Sequence, residues 1–275
     1  MDPLAARQAK LLDSLAERGP LIVAYSGGVD SSYLAWAAHR ALGSRALAVT
    51  AESPSYPESH RAAALELVTR LGLAHRFVRT AEIERPEYVS NPVNRCYFCK
   101  NELFAVLEEL RAELGFASVA YGVNVDDLGD HRPGHRAAEE RHVLSPLLEV
   151  GLDKAAIREL SRRAGLPSAE LPASACLASR IPYGSPVTRE KLRQIDRAED
   201  ALRALGYRQV RVRHHGELAR IELGPGDLER ALAPEALRRM SQWLHAVGFR
   251  WVSLDLDGYR SGSLNEARPL RLAVE

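Results

Sequence analysis

The sequence predicts an α/β protein, a doubly wound parallel sheet followed by a second, smaller α+β domain, and three observations carry that reading. Four short apolar runs, Leu21–Tyr25, Ala46–Ala51, His75–Arg79 and Ser118–Gly122, are separated by segments with apolar residues at three- and four-residue spacing: Ser31–Leu42, His60–Leu71 and Asn101–Leu114. Strands separated by helices of that length pair in parallel through crossovers, and ligands then sit at the carboxyl ends of the strands. The first run stops at Ser26-Gly27-Gly28-Val29-Asp30-Ser31-Ser32, an order that builds an anion cradle. Past Thr188 the pattern changes to helix, two strands, helix and strand, the order of a small α+β domain.

The elements follow in turn. Asp153 reads as the N-cap of a further helix, Lys154–Ala164, closed by Gly165 and Pro167. Pro167, Pro172, Pro182 and Pro186 are too closely spaced for a long helix or a central strand, so 166–187 is an ordered loop carrying Cys176. The domain boundary is placed at 185, giving domains 1–185 and 186–275. The second domain reads as a helix up to Leu205, strands Gln209–His214 and Leu218–Leu223, helix Pro234–Val247 and strand Trp251–Asp257, with an antiparallel sheet. Beyond Gly258 there is no periodicity.

Composition narrows the function. The 275 residues carry 37 Lys and Arg against 36 Asp and Glu, a net charge of +1, so no global basic field favours a nucleic-acid partner. No apolar run approaches the ~20 residues that span a bilayer, which speaks against a membrane partner. Met1-Asp2-Pro3 opens a polar, helix-like segment rather than a signal peptide, so a cytoplasmic protein with reduced thiols is expected.

In the cradle, two adjacent glycines without Cβ let backbone N–H groups approach an oxyanion, and a helix starting at Asp30 or Ser31 aims its positive end at the same spot. Ser26, Gly27, Gly28, Ser31 and Ser32 are the expected donors. Asp30 would meet phosphate through Mg²⁺ or act as a helix cap. No Lys follows the second glycine, so this is not a Walker A loop, and Lys100 is a candidate for the missing cation. The order Ser-Gly-Gly-x-Asp-Ser-Ser is similar to the PP-loop of enzymes that split ATP into AMP and pyrophosphate.

Cys96-Tyr97-Phe98-Cys99 brings two thiols within reach of one metal, and Cys176 lies far downstream. That spacing suits zinc or an iron–sulfur cluster; small buried residues are the plain alternative. A zinc site would want a fourth ligand, for which His131, His135 and His142 are available in a polar loop. Arg180, in the loop of Cys176, suits stabilising a thiolate or the charge of an adenylate. Arg211 and Arg213 alternate with Val210 and Val212, which puts both guanidiniums on one face of a strand, as a phosphate clamp or as a solvent-facing edge. Glu199 and Glu222 are candidates to bind a metal or orient a substrate.

With the Ser26–Ser32 loop, Arg95-Cys96-Tyr97-Phe98-Cys99-Lys100, Gly122-Val123-Asn124-Val125-Asp126-Asp127, Ala175-Cys176-Leu177-Ala178-Ser179-Arg180 and Arg211-Val212-Arg213-His214-His215-Gly216, the chain resembles the LarE family. That family makes the nickel-pincer nucleotide cofactor of lactate racemase. The resemblance implies a PP-loop ATP pyrophosphatase fold, of adenine nucleotide alpha hydrolase type, that adenylates a carboxylate of pyridinium biscarboxylate mononucleotide with ATP and replaces an oxygen by sulfur. It implies that Gly122 and Asp127 line the ATP site, that Arg211 and Arg213 hold the substrate phosphate, and that the protein is a homo-oligomer. Family members take sulfur either from a lone cysteine at the position of Cys176, or from sulfide or another donor through a 4Fe-4S cluster on three cysteines. The trio of Cys96, Cys99 and Cys176 favours the cluster. A tRNA-thiolating PP-loop enzyme, an amidating PP-loop ligase and a non-catalytic nucleotide-binding module are the competing readings.

Overall fold

In the computed structural model the described residues are 2–129, 133–171 and 175–260, and the chain divides into two units, Met1–Ser174 and Ala175–Glu275. The first unit is organised by the apolar strand β1 (Leu21–Ala24), every residue of which is buried. Helix α1 (Pro3–Glu17) precedes it. Then come α2 (Val29–Leu42), β2 (Ala46–Glu52), α3 (Glu58–Leu71) and β3 (His75–Arg79). The short α4 (Pro86–Val89), α5 (Arg95–Leu114), β4 (Ser118–Tyr121), α6 (Pro133–Glu140), α7 (Pro146–Glu149) and α8 (Lys154–Arg163) complete the unit. The strands are parallel in the order β3-β2-β1-β4, and Leu21 stands opposite Ala46 on one side and Ser118 on the other.

Alternate residues of β1 serve two cores. Leu21 and Val23 pack with Leu11 and Leu15 of α1, Leu34 of α2, Leu67 of α3 and Ile157 of α8. Ile22 and Ala24 pack with Phe104 and Leu107 of α5 and with Ala137 and Ala138 of α6. Covered on both faces, the strand needs no polar alternation, which is why its sequence is an unbroken apolar run. The chain steps from β1 to β2 to β3 and then returns to lay β4 on the other side of β1, so β1 and β4 form the switch point at whose carboxyl ends a ligand crevice opens.

In the second unit Thr188 caps α9 (Arg189–Ala204), its Oγ1 accepting from the Lys191 amide at 3.3 Å. Strands β5 (Val210–His215) and β6 (Leu218–Leu223), helices α10 (Pro225–Ala231) and α11 (Pro234–Ala246), and strand β7 (Trp251–Leu254) follow. The sheet order is β5-β6-β7. Val210, Val212, Ala219, Ile221 and Leu223 form one face and pack on Leu202 of α9 and on Met240 and Leu244 of α11.

The structure corrects four expectations. Helix α2 begins at Val29, ahead of Asp30 and Ser31. Helix α5 begins at Arg95, not Asn101, so the cysteine pair lies in its first turns. Residues 133–140, read as part of a polar loop, are helix α6, which buries only Ala137 and Ala138 and so shows little apolar periodicity. The small sheet is mixed: β5 and β6 are antiparallel, but β6 and β7 are parallel, because α10 and α11 carry the chain back across the sheet between them. His131, Pro172 and residues 261–275 lie outside the described residues. No helix among the described residues is long and apolar enough to cross a membrane.

One close approach sets the geometry of the crevice. Gly122 follows β4, and a Cβ there would stand 2.7 Å from the backbone nitrogen of Ser31. Gly122→Ala should therefore lower stability by about 1–3 kcal/mol, read as a lower denaturant midpoint at unchanged m. An unchanged midpoint would mean that the backbones are free to part.

Candidate active site

The loop after β1 is tightly tied. Gly27 adopts a φ of +73°, and a Cβ there would meet the Cβ of Ala64 on α3 at 2.9 Å, so only glycine lets the loop lie this close to that helix. Gly28 is the N-cap of α2 and offers no side chain, leaving the first-turn amides without a side-chain cap. Ser31 Oγ donates to the Gly28 carbonyl at 3.1 Å, accepts from the Ser26 amide at 3.2 Å and lies 3.1 Å from Ser26 Oγ. The Tyr56 hydroxyl donates to the Ser26 carbonyl at 3.0 Å. Burial pushes the Tyr56 phenol well above its usual range and raises that of Tyr25, below the loop, to about 12. Ser32 is buried, and its Oγ has no hydrogen-bond partner of good geometry. The result is a loop held by its own hydrogen bonds, with hydroxyls and the uncapped start of α2 together, which suits the charge of a polyphosphate.

Asp30 does not cap α2. Its Oδ2 accepts from Lys154 Nζ at 2.6 Å, and its buried Oδ1 has no hydrogen-bond partner among the described residues. Lys154 is the first residue of α8, and its amide donates to Asp126 Oδ2 at 2.8 Å. In the loop after β4, the Asp126 amide donates to Asn124 Oδ1 at 2.9 Å and the Asn124 amide to Asp127 Oδ2 at 3.1 Å. Asp127, buried, thus closes the loop that Gly122 opens. Lys100, on α5, has its ammonium 5.8 Å from the Phe104 ring centroid and its Cγ where a Cβ on Gly134 would come within 2.9 Å. A cation paired with Asp30 at the start of α2 is Lys154, a residue the sequence did not single out; 124 positions separate the two and only the fold joins them.

Cys96 and Cys99 stand three residues apart at the start of α5, so they share one face of that helix. Cys96 is exposed and Cys99 half-buried. The preceding Arg95 is buried, its Nη1 donating to Asn91 Oδ1 at 2.5 Å. Within either unit, among the described residues, no group of three or more His, Cys, Asp and Glu gathers as a metal site.

The second unit holds a buried charge network on the sheet face opposite its apolar core. Arg180 and Glu199 are both 0% exposed and paired twice, Nε to Oε1 at 2.8 Å and Nη2 to Oε2 at 3.0 Å. Glu199 also accepts from the Val212 amide at 3.1 Å and from Arg203 Nη2 at 2.8 Å. Burial works against its charge, and Arg180, followed by Arg211 and Arg203, outweighs that, leaving its pKa low. Arg213 donates to Glu222 Oε2 at 2.6 Å, and Arg220 to Glu222 Oε1 at 3.0 Å. Arg211 donates to the Val210 carbonyl at 2.7 Å and lies over the Tyr259 ring at 5.3 Å. Burial first, then the Arg180 charge, lowers the Arg211 pKa to about 10. Both strand arginines are therefore buried, and a solvent-facing edge is not what β5 presents. Cys176, half-buried, heads the turn that contains Arg180.

No family model matches the chain. An uncharacterized protein of Synechocystis is 45% identical over 95% of this chain and 98% of its own length. The pyridinium-3,5-bisthiocarboxylic acid mononucleotide synthase of Lactiplantibacillus plantarum is 33% identical over 97% of this chain and 96% of its own length. The chain belongs to the LarE family. A GMP synthase of Aeropyrum pernix is 28% identical over 66% of this chain and 39% of its own length. This LarE-family chain is accordingly an ATP-dependent sulfurtransferase of the PP-loop ATP pyrophosphatase class. For such an enzyme, Lys154→Met should slow ATP-dependent pyrophosphate release by about 10- to 100-fold with an unchanged melting profile. A wild-type rate in that variant would remove Lys154 from the site.

Proposed function

We propose that the protein activates a carboxylate of pyridinium biscarboxylate mononucleotide with ATP and converts it to a thiocarboxylate, sulfur being delivered through a three-cysteine 4Fe-4S cluster. The observation that carries this reading is likeness along nearly the whole chain to a relative named for a bisthiocarboxylate product, in a chain with three cysteines placed as a pair and a single.

The residues divide the work by unit. In the first, the α2 amides with Ser26, Ser31 and Ser32 take the β- and γ-phosphates of ATP, and Lys154 offsets their charge. Asp30, whose buried Oδ1 meets no hydrogen-bond partner among the described residues, would hold Mg²⁺, which would supply further positive charge there. A substrate carboxylate oxygen attacks the α-phosphorus and pyrophosphate leaves into the cradle. Sulfur then adds to the acyl carbon and AMP departs with the carboxylate oxygen. In the second unit, Arg211 and Arg213 are assigned to the substrate phosphate; burial, and after it the Arg180 charge, lowers the Arg211 pKa, and an anion bound there would relieve both. Glu222 orients Arg213 for that task.

The donor chemistry fits the cluster: Cys96, Cys99 and Cys176 would hold it, thiolates being the ligands such clusters take. When bound, it supplies the sulfide for transfer, refilled by a sulfur donor. We place this enzyme in the cytoplasm as a homo-oligomer. The near-neutral charge argues against tRNA as the acceptor.

Anaerobically purified protein should contain about four iron atoms and a similar amount of acid-labile sulfide per chain, and Cys96→Ser should lose both. Pyrophosphate release should depend on the pyridinium carboxylate and not on tRNA. Iron-free protein that performs one transfer and is left with dehydroalanine at position 176 would overturn the cluster in favour of sacrificial Cys176.

A further inference from the structure

The backbone of Cys176 is gripped from three directions. Its carbonyl accepts from the Ser179 amide at 3.0 Å, from Ser179 Oγ at 2.7 Å and from Arg180 Nη1 at 3.0 Å. The same Nη1 lies 2.7 Å from the Ala175 carbonyl and 2.9 Å from Ser179 Oγ. Behind it, Nε and Nη2 of Arg180 are both committed to Glu199. A second arginine joins from β5, Arg213 Nη1 donating to the Ser179 carbonyl at 2.9 Å. All these contacts lie within the second unit.

A buried ion pair is a weak source of stability, since the desolvation of two charges takes back most of the Coulombic gain. What a rigid guanidinium does supply is direction: its donors diverge in one plane at fixed angles, and here that plane joins Glu199 on α9 to two successive carbonyls at the head of the Cys176 turn. An adenylate or a thiolate reaching Arg180 would find Nε, Nη1 and Nη2 already engaged. We propose that Arg180, seated by Glu199, is a positioning residue that sets the orientation of the Cys176 thiol through its backbone and touches no substrate. The proposal rests on the role of Cys176 in sulfur transfer given above, where an error of an ångström in the placement of the sulfur costs about 100-fold in rate.

Peptide-resolved iodoacetamide alkylation of the reduced, iron-free full-length protein, in which all three thiols are free of metal, tests it. Arg180→Lys keeps the charge and loses the fork, and Ser179→Ala removes one grip with little change in volume. Cys176 alkylation should accelerate about fivefold or more in Arg180→Lys and about threefold in Ser179→Ala, with Cys96 unchanged as the internal control. In sulfur transfer, kcat should fall while KM for ATP and for the nucleotide substrate stays the same. An unchanged Cys176 rate in either folded variant overturns the proposal, and Ser179→Ala decides it if Arg180→Lys does not fold. A raised KM for the nucleotide substrate with an unchanged Cys176 rate also overturns it, because Arg180 would then be a ligand. Accelerated alkylation with undiminished sulfur transfer would uphold the positioning role and overturn the participation of Cys176 in the reaction.

Discussion

A polyphosphate cradle with no cation of its own has to borrow one, and much of the first unit is arranged around that need. The loop between β1 and α2 offers amides and hydroxyls but no positive side chain. The positive charge beside it comes from the opening residue of α8, Lys154, held at 2.6 Å from Asp30. That reach is possible only because the loop after β4 runs against the first turn of α2, at a separation where any Cβ on residue 122 would collide with Ser31. Two of the contacts that shape the cradle, Gly27 on Ala64 and Gly122 on Ser31, are backbone approaches that no side chain tolerates. A ring of hydrogen bonds through Asn124, Asp126 and Asp127 then ties α8 back to the strand end.

The second unit solves the opposite problem, an excess of positive charge in a dry setting. Arg180, Arg211 and Arg213 are all buried, and two buried carboxylates, Glu199 and Glu222, face them. Cross-strand register places Arg211 opposite Glu222 and Arg213 opposite Arg220, so the pairing of Arg213 with Glu222 is diagonal. Burial above all, and then the neighbouring Arg180 charge, lowers the Arg211 pKa, with Glu199 working the other way. Backbone donors and hydroxyls at the head of a helix mark the first unit, and buried arginines on a strand mark the second.

Much of this was legible in the chain itself. The four parallel strands and the helices between them follow from apolar runs bounded by periodic segments, and the cradle follows from two glycines flanked by hydroxyls. The alternation of Val210 and Val212 with Arg211 and Arg213 placed both guanidiniums on one face correctly, but local pattern cannot say whether that second face is covered, and it is. The first turns of α5 escaped because, of residues 95–100, Tyr97 alone is among those packed on the core, too little to make an apolar stripe. Helix α6 escaped because two alanines are all that it buries. Lys154 escaped for a different reason: its position after Asp153 reads as ordinary helix initiation, and nothing in either segment announces the other. The parallel pairing of β7 was already implied by the helix Pro234–Val247 between it and β6, since a strand–helix–strand crossover brings its two strands side by side in parallel.

That mixed sheet has a kinetic corollary. Strands β5 and β6 are joined by a two-residue connection and close as a hairpin, a microsecond event, whereas β7 can dock only after the chain has wound through α10 and α11. The ladder that pairs Arg213 with Glu222 therefore belongs to the early, local part of assembly. The couple lies on the sheet face opposite the one on which α11 packs, so its pairing does not wait for that helix to arrive.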